Sequence, residues 1–278
     1  MLRKITIFLF LVFVGCSFPS VEKSGENPQQ SGDSLSQKVQ EVGQCYNEFF
    51  PVKVGSTWTY KLSGEDGQAK EMTQTIVSVQ QNSFTSRITI SSPQSPVNVE
   101  GKVECSDKGI KFLDPTGFAS IYTNNQDFQA NFKIISNEGV SLPANLKEGD
   151  KWSQTIKAEL VGGSMGKVKS PFKTTQATYL FNCTAQSKET VKVTAGTFDA
   201  LKTICDLDII MKLDSFEQKV RITNTSWMVS GVGNVKAVGA FKGMEPTFNM
   251  PKLPNVKLPT PEVKSFETET ELVSYKIP

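Results

Sequence analysis

Alternation between apolar and polar residues is the feature of this 278-residue chain that most constrains its fold. In "STWTYKL" it places Trp58, Tyr60 and Leu62 on one face, and "FTSRITIS" and "KWSQTIKAEL" repeat the pattern. A period of two is typical of a β-strand that buries one face, and Thr, Val and Ile favour strands. Further strands are expected at 70–79, 97–104, 109–113, 130–135, 187–194, 199–212, 216–229 and 232–240.

The same region contains no amphipathic pattern that would support a helix of more than about three turns. We therefore predict an all-β fold, an antiparallel sheet system built as a sandwich or a partly open barrel. At about 230 residues beyond the N-terminal segments, the chain is long enough to bury a substantial core in one or two domains.

A short internal repeat suggests how these strands are organised. "GSTWTYKL" begins at Gly55 and "GDKWSQTI" begins at Gly149, and each is preceded by a proline. We expect a glycine turn that starts a strand whose tryptophan caps the core of its half. The all-β domain is accordingly predicted at 45–243, with two loosely repeated halves at about 45–140 and 141–243.

Cysteine usage predicts two disulfides. Four of the five cysteines lie beyond Cys16. An even number in an exported chain favours disulfides over free thiols, although four cysteines allow three connectivities. We favour pairs that close within each half. A turn centred on Gly196 in "VTAGTF" would instead place Cys183 opposite residue 209, so a bulge or another pairing is needed. No spacing is C-x-x-C, which disfavours zinc. The favoured pairs are Cys45 with Cys105 and Cys183 with Cys205.

The chain contains no histidine, which removes several catalytic classes. Ser-His-Asp and Cys-His nucleophiles, an imidazole base and His-liganded metals are all excluded. Asp206 and Asp208 in "ICDLDIIMKLD" share a strand face and are candidates for an acid–base pair or for ion ligands. A solvated strand face is the favoured interpretation. We therefore predict a protein that is not an enzyme, with no catalytic residue, no metal and no cofactor.

Two formal motif matches lie in segments that oppose them. Ser164-Met165-Gly166-Lys167 matches the S-x-x-K of serine acyl-enzymes, but the surrounding "VGGSMGKVK" predicts a bend between strands instead of a helix. "GVGNVKAVG" at 231–239 begins like a dinucleotide fingerprint. Lys236 replaces its third glycine, and no helix pattern follows.

The N-terminus predicts export. Arg3 and Lys4 precede a ten-residue apolar run over 5–14, which as a helix would rise only about 15 Å and is too short to span a bilayer. Basic, apolar and small-residue regions in this order are the parts of a secretory signal, predicted at 1–15.

The end of that signal resembles the bacterial lipobox. Phe13-Val14-Gly15-Cys16 supplies its apolar, β-branched, glycine and cysteine positions, with Phe13 in place of the usual leucine. The resemblance implies diacylglycerol on Cys16, cleavage before it and acylation of the new amine. Two or three chains would hold the protein firmly in a membrane. Ser17 in place of an aspartate favours the outer membrane in a two-membrane cell; a one-membrane cell would carry it on the outer face.

The mature chain is electrically neutral. Without residues 1–15 it has 28 basic and 28 acidic residues, since Arg3 and Lys4 are removed from 30 and no acid is lost. Nucleic acid is therefore not an expected partner. Residues 16–44 are predicted as a lipidated cysteine and polar tether, with a possible short helix at "SLSQKVQEV". The tether proper, 17–33, would average about 20 to 25 Å in length.

Proline marks the last boundary of the chain. Residues 244–264 are rich in proline and predict an extended connector. Alternation resumes in "FETETELVSYKI", so residues 265–278 are expected to return as a strand of the main sheet.

Four segments resemble a group of bacterial envelope lipoproteins that carry a β-sheet domain of unknown function, sometimes called TapB-like. They are "CYNEFFPVKVGSTWTY", "TVKVTAGTFDALKTICD", "SWMVSGVGNVKAVG" and "TELVSYKIP". The resemblance covers about residues 45 to 278 and implies an all-β fold and an envelope location. It brings no catalytic residues.

Three functions follow from these observations. The first is a membrane-anchored, extracytoplasmic lipoprotein that acts as a non-catalytic binding or structural module for an envelope protein or polymer. The second is a carrier of lipid or another apolar ligand in a β-sheet cavity. The third, a histidine-free hydrolase, is the least favoured.

Overall fold

The structure, a computed structural model, describes residues 45–63, 70–91, 96–113, 128–165, 168–169, 175–213, 216–248 and 265–278. The predicted signal at 1–15, the lipidated Cys16 with its tether to residue 44, and residues 249–264 of the predicted connector lie outside these ranges. All regular secondary structure in the described ranges is β-strand, so the predicted all-β class is confirmed.

The described residues form fourteen strands. They are β1 (Thr57–Ser63), β2 (Lys70–Gln80), β3 (Ser83–Ile90), β4 (Val97–Ser106), β5 (Gly109–Phe112), β6 (Phe128–Gly139), β7 (Leu142–Pro143), β8 (Lys151–Met165), β9 (Val168–Lys169), β10 (Thr175–Val193), β11 (Gly196–Leu213), β12 (Phe216–Val229), β13 (Gly233–Phe248) and β14 (Phe266–Lys276).

The strands form one antiparallel sheet in the order β6-β8-β10-β11-β12-β13-β14-β1-β2-β3-β4-β5-β7, with β9 beside β8. The sheet is open: it is neither a two-sheet sandwich nor closed into a barrel. Its two edge strands, β6 and β7, follow one another in the chain and are separated only by residues 140–141.

Side chains connect the two edges of the sheet at one end. The Gln154 amide on β8 donates to the carbonyl of Phe112 on β5 at 3.0 Å, and the Ser141 hydroxyl donates to the Gln154 carbonyl oxygen at 2.6 Å. Strands far apart in the sheet order therefore lie side by side. The sheet curls on itself, and the face that carries the buried Gln154 side chain is its inner face.

The two halves of the chain occupy adjoining parts of the sheet. Strands β1 to β5 are neighbours, as are β8 and β10 to β13, and β14 lies between the two groups. The predicted division at residue 140 differs in two respects, because β6 pairs with β8 of the second half and β7 pairs with β5 of the first. The predicted return of the C-terminal strand is found: β14 pairs with β1 and β13.

The glycine–tryptophan repeat has the same geometry in both halves. Gly55 and Gly149 have φ of 84° and 85°. The Gly55 amide donates to Ile76 O on β2 at 2.9 Å, and the Gly149 amide donates to Ala185 O on β10 at 3.0 Å. The indoles of Trp58 and Trp152 each donate to a backbone carbonyl, at 2.6 and 3.0 Å. The faint sequence repeat therefore corresponds to a structural one.

Strand boundaries differ most from the prediction at two places. β10 begins at Thr175, well before the predicted 187, and β13 continues to Phe248, inside the predicted connector. Among the described residues, β13 pairs with β14 only as far as Phe241, so Pro246 lies where β13 has hydrogen-bond partners on one side alone. Proline needs no ladder donor on a free side.

The β10–β11 hairpin explains how its two cysteines meet. The turn is formed by Thr194 and Ala195, and Gly196 already belongs to β11. A bulge between Ala185 and Lys188 shifts the register by one further residue, so that Cys183 lies directly opposite Cys205. The predicted turn was centred too late in the sequence, and a bulge, the predicted alternative to another pairing, is present.

Buried side chains form two clusters. The larger lies where β1 and β8 begin and contains Trp58, Phe84 and the N-terminal Phe49, with Trp152 packed against it. The smaller lies along the long strands of the second half and includes Tyr179 and Val220. The first cluster joins both halves, whereas the second belongs to strands β8 and β10 to β13, with Phe266 of β14 packed against it.

Candidate functional site

The smaller cluster presents a continuous surface, which we call the inner apolar face. Its first cross-strand row runs Phe266, Phe241, Ile222, Leu207 and Phe181, from β14 to β10. Two further rows continue it along β8 to β12. Their members are Val220, Ile209, Tyr179 and Ile156, then Met211, Ala177 and Ala158. Apart from the tyrosine hydroxyl, these twelve side chains carry no polar group.

Burial divides this face into a packed centre and an accessible part. Seven members, among them Tyr179 and Val220, are fully buried. The other five are only partly buried: Phe181, Leu207, Met211, Ile222 and Phe266. The Phe241 and Phe266 rings stack with centroids 4.9 Å apart. Apolar and aromatic side chains dominate the lining of small-molecule sites, which makes this face the candidate surface for an apolar ligand.

A polar group borders the inner apolar face where its first row reaches β8. There Phe181 lies opposite Gln154, whose amide donates to Phe112 O and to Asn137 Oδ1, at 3.0 and 2.9 Å. The Asn137 amide donates in turn to Phe112 O at 3.0 Å. Because these groups satisfy one another, the network closes the sheet edge instead of offering free donors to a ligand.

The outer face carries the carboxylate pair that the sequence singled out. Asp208 accepts hydrogen bonds from Arg221 Nε and Nη2 at 2.6 and 3.0 Å, and Lys219 Nζ lies 3.3 Å away. Asp206 accepts from the Thr223 hydroxyl at 2.7 Å. The hydrogen bond from Arg221 lowers the pKa of Asp208. A carboxylate held ionised by two cations is a poor general acid.

A second outer cluster was not recognised from the sequence. The Trp227 indole donates to Glu189 Oε1, and the ammonium groups of Lys202 and Lys236 lie 5.4 and 5.7 Å from the ring centroid. Glu189 and Glu269 pair with these lysines at 3.5 and 2.7 Å. The charges therefore cancel, and the cluster stabilises neighbouring strands without presenting a net charge.

The formal motifs form ordinary strand structure. Ser164 lies in β8 and pairs with Lys169 of β9, and residues 166–167 of the predicted bend lie outside the described ranges. Gly231 and Val232 form the turn before β13, and no helix follows. In the part of the chain that the structure describes, no three cysteine or acidic side chains come together as metal ligands.

Both favoured disulfide pairs are present. Cys45 is bonded to Cys105, with Cα atoms 4.8 Å apart, and Cys183 is bonded to Cys205, with Cα atoms 4.0 Å apart. Cys16 lies outside the described ranges, so its lipidation stays a prediction. Across the described residues, no helix has the length and apolar character needed to cross a membrane.

Part of the inner apolar face was visible in the sequence. Trp152 and Ile156 were placed on one face of a strand, but the first half of β10 was missed. Its "TQATYLFNCTAQ" alternates Ala177, Tyr179 and Phe181, the same signal that was used elsewhere. Which residues line the rows could not be predicted, because a row depends on the register between strands.

Three solved structures are similar to this chain, and the likeness to the first shows the fold. A presumed exported protein with a YmcC-like fold, from Bacteroides fragilis, is 13% identical over 84% of this chain and 100% of its own, with a TM-score of 0.50. A presumed lipoprotein from Parabacteroides distasonis is 16% identical over 84% and 99%, with a TM-score of 0.48. The hypothetical lipoprotein YmcC of Escherichia coli is 12% identical over 90% and 100%, with a TM-score of 0.31.

Comparison with curated protein sequences gives no match. A family model described as DUF3108-like matches residues 53–238. The match begins just before β1 and ends within β13, so it spans both halves and the strands that carry most of the inner apolar face. The chain belongs to the DUF3108-like family.

Proposed function

We propose that this chain is a lipid-anchored, extracytoplasmic lipoprotein of the cell envelope that acts as a non-catalytic binding or structural module. The lipobox at Phe13–Cys16 supports the anchor. The observation that carries the proposal is the pair of disulfides, since such bonds form and persist in oxidising compartments outside the cytosol. Relatives in fold that are described as exported proteins or lipoproteins agree with it.

Binding is favoured over catalysis because the best catalytic candidate is already engaged. Asp208 is ion-paired with Arg221 and Lys219, and Asp206 is hydrogen-bonded to Thr223. We expect the double variant Asp206→Asn, Asp208→Asn to retain the cellular phenotype of the wild type. A null phenotype in a variant that still folds would favour the hydrolase.

Intact-mass measurement of the native protein, beside Cys16→Ala, tests the anchor. The wild type should lack residues 1–15, carry two or three acyl chains and partition into detergent. Cys16→Ala should lose the acyl mass, and Ser17→Ala should keep it as the matched control. A native polypeptide that is freely soluble and retains its first fifteen residues would contradict the proposal.

Crosslinking in the intact envelope tests the module itself. We expect a defined envelope protein or polymer to be recovered with the anchored chain and to be lost when the anchor is removed. A chain that crosslinks only to membrane lipid would count against a protein or polymer partner and would favour the carrier.

The inner apolar face supports one alternative, a carrier of lipid or another apolar ligand. Five of its side chains keep partial solvent access on a curled sheet. Organic extraction of purified protein should then release a stoichiometric apolar molecule. Leu207→Asn, on this face, should reduce the yield, whereas Ile135→Asn, at an exposed position of β6, should not. Equal yields from both variants would rule out this face as the binding site.

A further inference from the structure

Both termini of the described domain lie at one end of the sheet, which we call the tether end. β1 and β8 begin there and β14 finishes there, and residues 45–56 cross it. Glu48 O accepts from Gly231 N at 2.8 Å, and Lys53 Nζ donates to Pro278 O at 3.0 Å. Cys45 is fixed at the same end by its disulfide to Cys105, next to the last residue of β4. The segment that begins at Cys16 therefore enters the domain at the tether end.

Exposed apolar side chains concentrate at this end. The described ranges contain six exposed large hydrophobic side chains, and four of them lie here: Tyr46, Val54, Val79 and Tyr275. The contacts around them connect three of these, Val54, Val79 and Tyr275. Gly55, next to Val54, approaches Pro278 and donates to Ile76 O, three residues before Val79. The remaining two, Ile134 and Ile135, lie on β6.

The chemistry of the tether end matches that of a membrane interface. Tyr46 and Tyr275 are 66% and 42% exposed, and tyrosine joins an apolar ring to a hydroxyl that needs water. Lys53 and Lys276 are exposed beside them and can extend apolar stems toward acyl chains and ammonium groups toward headgroups. Glu48 is exposed at the same end, so the surface does not require anionic lipid.

Chain length favours contact between this end and the bilayer. Residues 17–44 number 28 (44 − 16), so as a flexible segment they would average about 30 Å in length. The 15 residues of β8 place the other end of the sheet about 50 Å farther along the strands. A lipid on Cys16 would therefore hold the tether end, and not the opposite end, near the membrane surface.

We propose that the tether end rests on the bilayer, with Tyr46, Val54 and Tyr275 at the level of the headgroups. This inference depends on the proposed lipid anchor and adds an orientation to it. The long strands of the second half, with the inner apolar face, then point away from the membrane toward partners or ligands in the envelope.

Two variants of the acylated protein, each with one tryptophan added to the native three, test the contact. Val54→Trp introduces the probe at the tether end, and Ile135→Trp introduces it on β6; the replaced side chains are 58% and 56% exposed. The proteins are reconstituted in vesicles of phosphatidylethanolamine and phosphatidylglycerol whose acyl chains carry bromine. After subtraction of the parent protein, quenching should be at least about twofold stronger for Val54→Trp.

The outcomes separate the two proposals. Equal quenching of the two probes in protein that floats with the vesicles would overturn the orientation and leave the anchor intact. Failure of the wild-type protein to float would overturn the anchor, and the orientation with it. Adding Tyr46→Ser and Tyr275→Ser to Val54→Trp should reduce its quenching toward that of Ile135→Trp; unchanged quenching would exclude these tyrosines from the contact.

Discussion

The two halves of the sheet begin alike and end differently. Each starts with a left-handed glycine, Gly55 or Gly149, followed by a tryptophan whose indole donates to a backbone carbonyl. Strands β1 to β5 then run for 4 to 11 residues, whereas β8 and β10 to β13 run for 14 to 19. The shared beginnings build the common core. The extra length builds the inner apolar face, so the specialised surface belongs to the second half.

The outer face of each half carries a cross-strand ion pair, and the two pairs differ in burial. Arg87 and Glu100 lie opposite each other on β3 and β4, as Asp208 and Arg221 do on β11 and β12. The first pair is half exposed, while the Asp208 side chain is mostly buried beside a second cation. Each half therefore carries a cross-strand Arg–carboxylate pair on neighbouring strands, but the two pairs differ in solvent exposure. Each pair is a control for the other.

Truncating the two tryptophans should give the largest difference between the halves. Trp58 is fully buried in the joint core, and Trp152 is only partly buried against it. We expect Trp58→Ala to lower the free energy of unfolding by about 3 to 5 kcal/mol and Trp152→Ala by about half as much. Urea denaturation of both variants measures this. Equal losses of unfolding free energy would mean that the two tryptophans stabilise the core equally, contrary to their burial.

Removing the disulfides should have the next largest effect. The Cys45–Cys105 and Cys183–Cys205 bonds span 60 and 22 residues. Loop entropy predicts that replacing both cysteines of a pair by alanine costs about 4 kcal/mol for the first and about 3 for the second. Thermal unfolding of the two double variants compares them. A greater loss for the shorter loop would show that native packing, and not chain entropy, sets the contribution.

The turn glycines should respond equally if the repeat is structural. A Cβ at Gly149 would meet nothing within 4 Å, and one at Gly55 would meet only Pro278 Cγ at 3.7 Å. Only the left-handed backbone then opposes alanine, so each Gly→Ala change should cost about 1 kcal/mol. Chemical denaturation checks both. Costs that differ by several-fold would indicate that the two turns are not equivalent.

One substitution should stabilise the first half. The Ser56 hydroxyl is buried and has no hydrogen-bond partner, whereas Asp150, at the equivalent repeat position, accepts from Lys147 N at 2.8 Å. Ser56→Ala should therefore be neutral or raise the free energy of unfolding by up to about 1 kcal/mol. Asp150→Ala should lower it. Destabilisation by Ser56→Ala would reveal a partner for the hydroxyl in solution.

The Asp208 ion pair should stabilise the fold at neutral pH and lose that contribution in acid. Because the folded-state pKa of Asp208 is lowered, its contribution is present above the ordinary aspartate pKa and is lost as the pH falls through the folded value. Asp208→Asn should therefore destabilise at neutral pH, by an amount that shrinks below about pH 4. Glu100→Gln, at the exposed pair of the first half, should change stability less at neutral pH. Denaturation curves at pH 7 and pH 3 measure both, and a pH-independent loss for Asp208→Asn would contradict the assignment.

Much of the fold could be predicted from short stretches of sequence. Alternation located most strands, and G-x-x-W located the start of each half, because both depend on local geometry. The second half of β13 was missed because the prolines of 244–264 indicate a connector, and only strand order shows that Pro246 has a free side. The hairpin turn was misplaced because Gly196 belongs to β11 and is not the centre of the turn, and the bulge in β10 adds a register shift that no local pattern marks.

The sequence by itself determined the strand class, and it favoured the two cysteine pairs and predicted the lipid site, because each rests on composition, spacing or a contiguous motif. Only the tertiary structure decided that the sheet curls until Gln154 reaches Phe112, and that twelve side chains from six strands form one apolar face. Both depend on strand order and register. These are set by the sum of many weak contacts between distant residues, and no local stretch of the chain encodes that sum.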